Sequence, residues 1–209
     1  MTAENGYASA SYIREAVQAG QLDEVRTNLT ETSFEILNDA FQKNLLLFDN
    51  DLSLPLHLSL QSHDDYSDFS DVSADLSDRI KNLLPEYMNF NQFTDLLKNK
   101  SLTASRIRRS LIHILLGIKD SDVDIMRKSS FAPYLWILSA SDKGLSMLGE
   151  IKKSSTLPLF FSVNEKAAIE TEHLLQQDLK ALNLSRALRI EKSGLSLPNE
   201  KQRKISLNL

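Results

Sequence analysis

Thr103-Ala104-Ser105-Arg106-Ile107-Arg108-Arg109-Ser110-Leu111-Ile112-His113-Ile114-Leu115-Leu116-Gly117-Ile118 is the stretch on which the fold turns. Apolar residues recur at three and four, Thr103 or Ser105 stands at a capping position, and Gly117 stands where a helix stops. The spacing therefore predicts a helix. At about 100° per residue, Ile107, Leu111, Ile114, Leu115 and Ile118 form an apolar arc. Arg106, Arg109 and His113 gather on the opposite side, and Arg108 flanks the arc. Ile112 and Leu116 fall outside the main arc, so protein must also cover part of the second face.

Downstream, a loop is expected around Asp120, Asp122 and Asp124. Tyr134 to Leu138 is a continuous aromatic and β-branched run that reads as a buried strand. Ser141 or Asp142 caps a helix with Leu145, Leu148 and Ile151 inward, and Pro158 introduces a second run from Leu159 to Val163. A strand–helix–strand of about thirty residues is the size of a βαβ unit with parallel strands. A long helix from about Glu165 to Ile190 follows. The tail after Ser193, with Gly194, Pro198 and scattered Lys and Arg, is expected to be mobile.

Upstream, Ser9 or Ser11 caps a helix to about Gly20, with Ile13, Ala16 and Val17 on one face. A short helix at about Leu22 to Leu29 comes next, then a helical pattern from Glu31 to Leu47 with Phe34, Leu37, Phe41 and Leu45 as its stripe. Residues 49–60 alternate Leu with polar residues around Pro55 and read as an edge strand or an extended connector. Gln61 to Asp78 is Ser/Asp-rich and reads as a solvated loop. It lacks the turn glycine and closing Glu of a calcium loop. Leu76, Ile80, Leu83 and Leu84 mark a helix that ends before Pro85, and Phe90, Phe93, Leu96 and Leu97 mark another. The fold class is therefore mainly α with a small βαβ unit (α+β), a helical domain followed by a short parallel-strand subdomain. The expected divisions are 1–47, 48–127, 128–192 and 193–209.

With 209 residues and 42% hydrophobic composition the chain can bury a substantial core. No stretch approaches about eighteen uninterrupted apolar residues, so no membrane partner is expected, and the opening MTAENGYASAS does not have the form of a secretory signal. Cysteine is absent. That excludes disulfides, thiolate metal sites and cysteine nucleophiles, and fits a reducing, cytoplasmic setting. The net charge of −4 hides an asymmetry, −12 over residues 1–97 and +8 over 98–209. A basic half of this kind suits a polyanion, although two unlike solvated faces account for it equally.

Four dispersed histidines (His57, His63, His113 and His173) show no metal-ligand spacing, and no phosphate loop or G-x-S-x-G occurs. No catalytic residue and no metal site are therefore expected within this chain. Ala8 to Arg14 is more specific. Ser9 and Ser11 at a helix start with Arg14 one turn in would form an anion site, the alternative being an ordinary capped helix with a solvated Arg. Lys98, Lys100, Arg106, Arg108 and Arg109 put five cations within twelve residues, beside His113. They suit either an RNA backbone or a soluble helix face. Lys143, Lys152 and Lys153 extend the positive character, and Tyr134 and Trp136 are either stacking platforms for bases or core.

These segments together resemble a known family. Ala8 to Arg14 resembles the I-S-S-T-x-I-R motif of HIGH-type nucleotidyltransferases, Arg14 matching its Arg and Ser9 and Ser11 its hydroxyl positions, while Ala8 and Ala10 depart from it. Ser105 to Ile118 resembles the arginine-rich helix of the bacterial tRNA(Met) cytidine acetate ligase family. Pro133 to Leu138, Lys143-Gly144, Ile151-Lys152-Lys153, Ser155 and Leu157-Pro158 follow in the family's order. The family's Arg near Trp136 and its Gly-aromatic pair near Ser139-Ala140 are not matched, which weakens the transfer of any RNA contact to those positions. The resemblance implies an enzyme that uses ATP and acetate to acetylate N4 of the wobble cytidine of elongator tRNA(Met). It also implies that the nucleotide-binding HIGH motif belongs before residue 1. On this reading the chain is an RNA-facing part with Ser9, Ser11 and Arg14 as an ATP-site remnant. It is expected to be inactive alone and to hold no ATP tightly. The rival expectations are a split subunit or a non-catalytic helical module that completes the nucleotide site of a separate catalytic chain.

Overall fold

The computed structural model describes residues 8–128, 131–162, 169–200 and 206–207. They fall into two compact units, one of residues 8–48 and 188–196, the other holding the rest. Val163, expected to end a strand, Glu165, expected to begin the last helix, and residues 1–7 lie outside the described residues.

In the first unit, α1 (Ala10–Gln18) begins at Ser9, whose Oγ accepts from Tyr12 N at 3.2 Å. Past it, Gly20 takes φ +77°, a left-handed conformation that suits a residue without Cβ. A 3-10 turn at Leu22–Asn28 leads to α2 (Glu31–Gln42), capped by Thr30. α2 stops before the expected Leu47, because Asn44 adopts φ +54°. Ala16, Val17, Leu22, Val25 and Phe34 form this unit's core.

In the second unit, residues 49–60 are helical rather than extended. A 3-10 turn at Asp49–Leu52 runs into α3 (Ser53–Gln61). Pro55 does not prevent this, since it stands in the first turn, where N–H groups have no intrahelical partner. Of the alternating leucines only Leu56 and Leu60, four apart, are fully buried, while Leu54 (69% exposed) and Leu58 (57%) face outward. The period is that of a helix laid over a two-residue repeat of sequence. α4 (Ala74–Leu83), capped by Ser73, α5 (Phe90–Leu97), capped by Asn89, and α6 (Ala104–Leu116), capped by Thr103, follow the expected pattern. Their inward faces, with those of α3, make a core that includes Leu56, Leu60, Leu76, Ile80, Phe93, Ile107, Leu111 and Ile114.

The Gln61–Asp78 stretch is less solvated than expected. Tyr66, Phe69 and Val72 are buried, and the Tyr66 hydroxyl donates to Leu60 O at 2.6 Å. Asp65 holds the turn by accepting from Tyr66 N, the Ser67 hydroxyl and the Ser77 hydroxyl. Among the described residues no cluster of acids and histidines could hold a metal ion, and no helix is long and apolar enough to cross a membrane.

The expected loop at Asp120–Asp124 is instead α7 (Asp120–Lys128). Its aspartates favour the positive end of the helix dipole, and Asp122 accepts from Lys119 N at 2.8 Å as a cap. β1 (Leu135–Trp136) and β2 (Ser139–Ala140) then precede α8 (Asp142–Ser154), capped by Ser141, and β3 (Leu159–Phe160). β1 and β3 pair in parallel, Leu135 with Leu159 and Trp136 with Phe160, giving the βαβ unit. It is less buried than its composition suggests: Leu135 is 41% exposed, Leu138 44% and Ile151 38%, whereas Leu159 and Phe160 are buried. α9 (Ile169–Ser193) closes the helical set, and in the tail β4 (Ser206–Leu207) pairs in parallel with β2.

Candidate nucleic-acid interface

Helix α6 presents the basic residues, and its neighbours fix it at both ends. Thr103 Oγ1 accepts from Arg106 N at 3.3 Å. At the far end Gly117, at φ +72°, forms a left-handed cap, and Lys180 of α9 donates to Leu116 O at 2.8 Å. Ser59 of α3 donates to Ile114 O. Ile107, Ser110, Leu111 and Ile114 are buried, so the remaining face is the one that carries Arg106, Arg109 and His113.

That face is already partly engaged. Arg109 forks onto Asp71, Nε to Oδ2 at 2.7 Å and Nη2 to Oδ1 at 3.2 Å. The pair holds the Asp71 carboxyl below its ordinary range and raises the guanidinium above its own. The His113 ring lies beside it with Nδ1 2.8 Å from Ser70 O, and because a carbonyl only accepts, that nitrogen carries the proton. Arg108, on the flank, reaches Asn91 Oδ1 at 3.3 Å and Asp49 at 3.5 Å. Arg106 is exposed and, among the described residues, has no carboxylate within ion-pair distance. Lys98 is paired with Asp95 at 2.7 Å, whose carboxyl it holds below the ordinary range, while Lys100 is exposed. The arginines thus share one helix, but two of the three answer carboxylates from the acidic half of the sequence.

The remaining expected residues lie elsewhere. On α8, Lys143 is exposed, Lys152 stands over the Phe161 ring at 5.8 Å, and Lys153 pairs with Glu150 at 2.9 Å. Trp136 and Tyr134 are half-buried against Leu175 and Leu179 of α9, so both rings serve as core. In the first unit, Ser9 Oγ is used as the α1 cap, whereas Ser11 and Arg14, three apart and on one face of α1, are exposed. An anion at the start of α1 would therefore meet Ser11, Arg14 and the first-turn N–H groups.

Sequence reasoning missed the partners of the arginines, Asp71, Asp49 and Asn91, because such pairs join residues far apart in the chain. It also missed a cleft of about 460 Å³ beside His113, lined by Ser70, Asp71, Asp120, Asp124 and Arg127. A second, largely apolar cavity of about 490 Å³ lies among α6, α7 and α9. At its edge Asp122 accepts from His173 at 2.7 Å and Gln177 at 2.6 Å. Burial alone would raise the Asp122 carboxyl, but Lys119 N–H, His173 and Gln177 bring it below its ordinary value.

A model of the HIGH Nucleotidyl Transferase family matches residues 1–196. Among curated relatives, the chain is similar to the tRNA(Met) cytidine acetate ligase of Thermoanaerobacter sp. (strain X514), 32% identical over 184 residues, or 85% of this chain and 44% of that protein. It is also similar to that of Listeria welshimeri serovar 6b, 29% identical over 178 residues, covering 85% and 42%. Among solved structures it resembles Thermotoga maritima TmcAL bound with alpha-thio ATP, with a TM-score of 0.82 and 21% identity over 98% of this chain and 53% of that one. At that identity the likeness carries the fold. The chain spans about half the length of the proteins it matches.

Proposed function

The chain belongs to the HIGH nucleotidyltransferase family, and on that premise we propose that it is the tRNA-binding part of an ATP-dependent ligase that acetylates N4 of the wobble cytidine of elongator tRNA(Met). The relatives matched over most of this chain carry the name tRNA(Met) cytidine acetate ligase, which supports tRNA as the substrate class. The observation that carries the reading is helix α6. It is held at both ends, buried along one face, and carries Arg106, Arg108 and Arg109 at the surface. Guanidinium forks suit phosphate oxygens, and Lys98, Lys100, His113, Lys143, Lys152 and Lys153 are the further cations assigned to the RNA. The α1 start, with Ser9, Ser11 and Arg14, is assigned to the nucleotide.

The test is a tRNA gel shift across a salt series. Replacing Arg106, Arg108 and Arg109 together by Ala should weaken binding and flatten the slope of log K against log salt by roughly two, at about 0.7–0.9 for each phosphate no longer neutralised. Binding and slope unchanged in the triple variant would remove α6 from the interface.

The exposure of Ser11 and Arg14 supports a second reading, in which the chain completes the nucleotide site of a separate catalytic chain. ATP binding that appears only when such a chain is added, and is lost with Arg14→Ala, would favour it. ATP bound equally well without this chain would exclude it.

A further inference from the structure

Asp71 occupies the guanidinium fork of Arg109. Its two oxygens meet Arg109 in the two-bond geometry that a guanidinium offers to carboxylate and phosphate alike. The carboxylate is also fixed from behind. Asp71 takes φ +63°, its carbonyl accepts from the buried Ser110 hydroxyl at 2.8 Å, and the adjoining Ser70 carbonyl accepts from His113. Three residues of α6, namely Arg109, Ser110 and His113, thus pin this loop to the basic face. The more exposed partner is the Arg109 side chain, at 57% against 32% for Asp71. One turn earlier Arg106 is exposed and without a carboxylate within ion-pair distance among the described residues.

We propose that Asp71 is a specificity-determining residue of this face, an internal carboxylate that occupies Arg109 as a phosphate would and so favours ligands that present several phosphates together. An isolated phosphate finds one open guanidinium, that of Arg106, while Arg109 is already held by Asp71. A folded RNA delivers adjacent phosphates, one held by Arg106 while the next competes for Arg109. The inference rests on the reading of α6 as an RNA face.

The experiment uses the full chain and measures tRNA binding across a salt series for the parent, Asp71→Asn, Asp71→Asn/Arg109→Ala and the triple arginine variant. Inorganic phosphate serves as a small competitor with a single phosphate. Asn adopts left-handed backbone readily, so Asp71→Asn keeps the loop, and Asp71→Gly repeats the test should Asp71→Asn melt early. Asp71→Asn is expected to tighten tRNA binding roughly three- to tenfold at low salt and to steepen the salt slope by about 0.7–0.9, one further phosphate neutralised. The gain should vanish when Arg109→Ala is added, and inorganic phosphate should compete better against Asp71→Asn than against the parent. If neither Asp71 variant tightens binding while the triple arginine variant still weakens it, Asp71 has no part in selectivity and the RNA face stands. If neither parent nor variants bind tRNA at low salt, the RNA face falls and this inference falls with it.

Discussion

The leucines of α3 allow the helix itself to be tested, and with it the seating of the arginine helix. Were residues 49–60 extended, Leu54, Leu56, Leu58 and Leu60 would share one face and their truncations would cost alike. In the structure Leu56 and Leu60 are fully buried in the core that also holds Leu111 and Ile114 of α6, while Leu54 and Leu58 are 69% and 57% exposed. Leu56→Ala or Leu60→Ala removes a wholly buried isobutyl group and leaves a cavity, a loss of about 2–5 kcal/mol. Leu54→Ala and Leu58→Ala should stay within about 0.5 kcal/mol of the parent. Against a total of about 5–15 kcal/mol, the first pair should lower the urea midpoint by roughly 1 M or more at unchanged slope, and the second pair should hardly move it. Urea unfolding followed by circular dichroism measures all four. Equal losses at the four positions, or larger losses at Leu54 and Leu58, would refute the helical register and the placement of α6 that depends on it.

Two further expectations concern the same unit. The Arg79 guanidinium donates to Leu96 O and Leu97 O at 3.3 Å and Lys98 O at 3.5 Å, covering the C-terminal carbonyls of α5. Arg79→Met keeps much of the stem and removes the donors, so thermal unfolding should show a loss of about 1–2 kcal/mol; no loss would mean that water serves those carbonyls as well. Asp65 is held well below the ordinary carboxylate range, first by the Ser67 hydroxyl and then by the Ser77 hydroxyl. Its folded value lies below its unfolded one, so its contribution is complete above about pH 4 and fades as pH falls below it. The difference in melting temperature between the parent and Asp65→Asn should be constant at neutral pH and shrink in acid, and a difference that grew in acid would reverse the assignment.

Helix α6 was legible because three local signals agree there: Thr103 at the cap, apolar residues at helical spacing, and Gly117 where only a left-handed residue fits. The parallel pairing of β1 and β3 was legible from two apolar runs set a helix apart. Residues 49–60 were not, because leucine at every second position satisfies both periods, and only burial against α6 selects positions 56 and 60. The acids of α7 looked like loop composition, yet they are also what the start of a helix attracts. At the candidate interface, arginine spacing placed the cations correctly on one helix. It could not reveal Asp71 or Asp49, since nothing local links position 109 to 71 or 108 to 49.

The ion pairs across the divide between acidic and basic halves, Lys98 with Asp95, Arg108 with Asp49, Arg109 with Asp71 and Lys119 with Asp68, change how the molecule looks from a distance. Beyond a Debye length of about 8–10 Å they amount to dipoles, not to a basic stripe. An approaching polyanion is therefore steered little, and its association should proceed at the roughly 10⁵–10⁶ M⁻¹s⁻¹ of unsteered partners, with the guanidinium groups acting only after the two surfaces meet. Stopped-flow association that accelerated steeply as salt was lowered would show instead that the pairs open before the encounter.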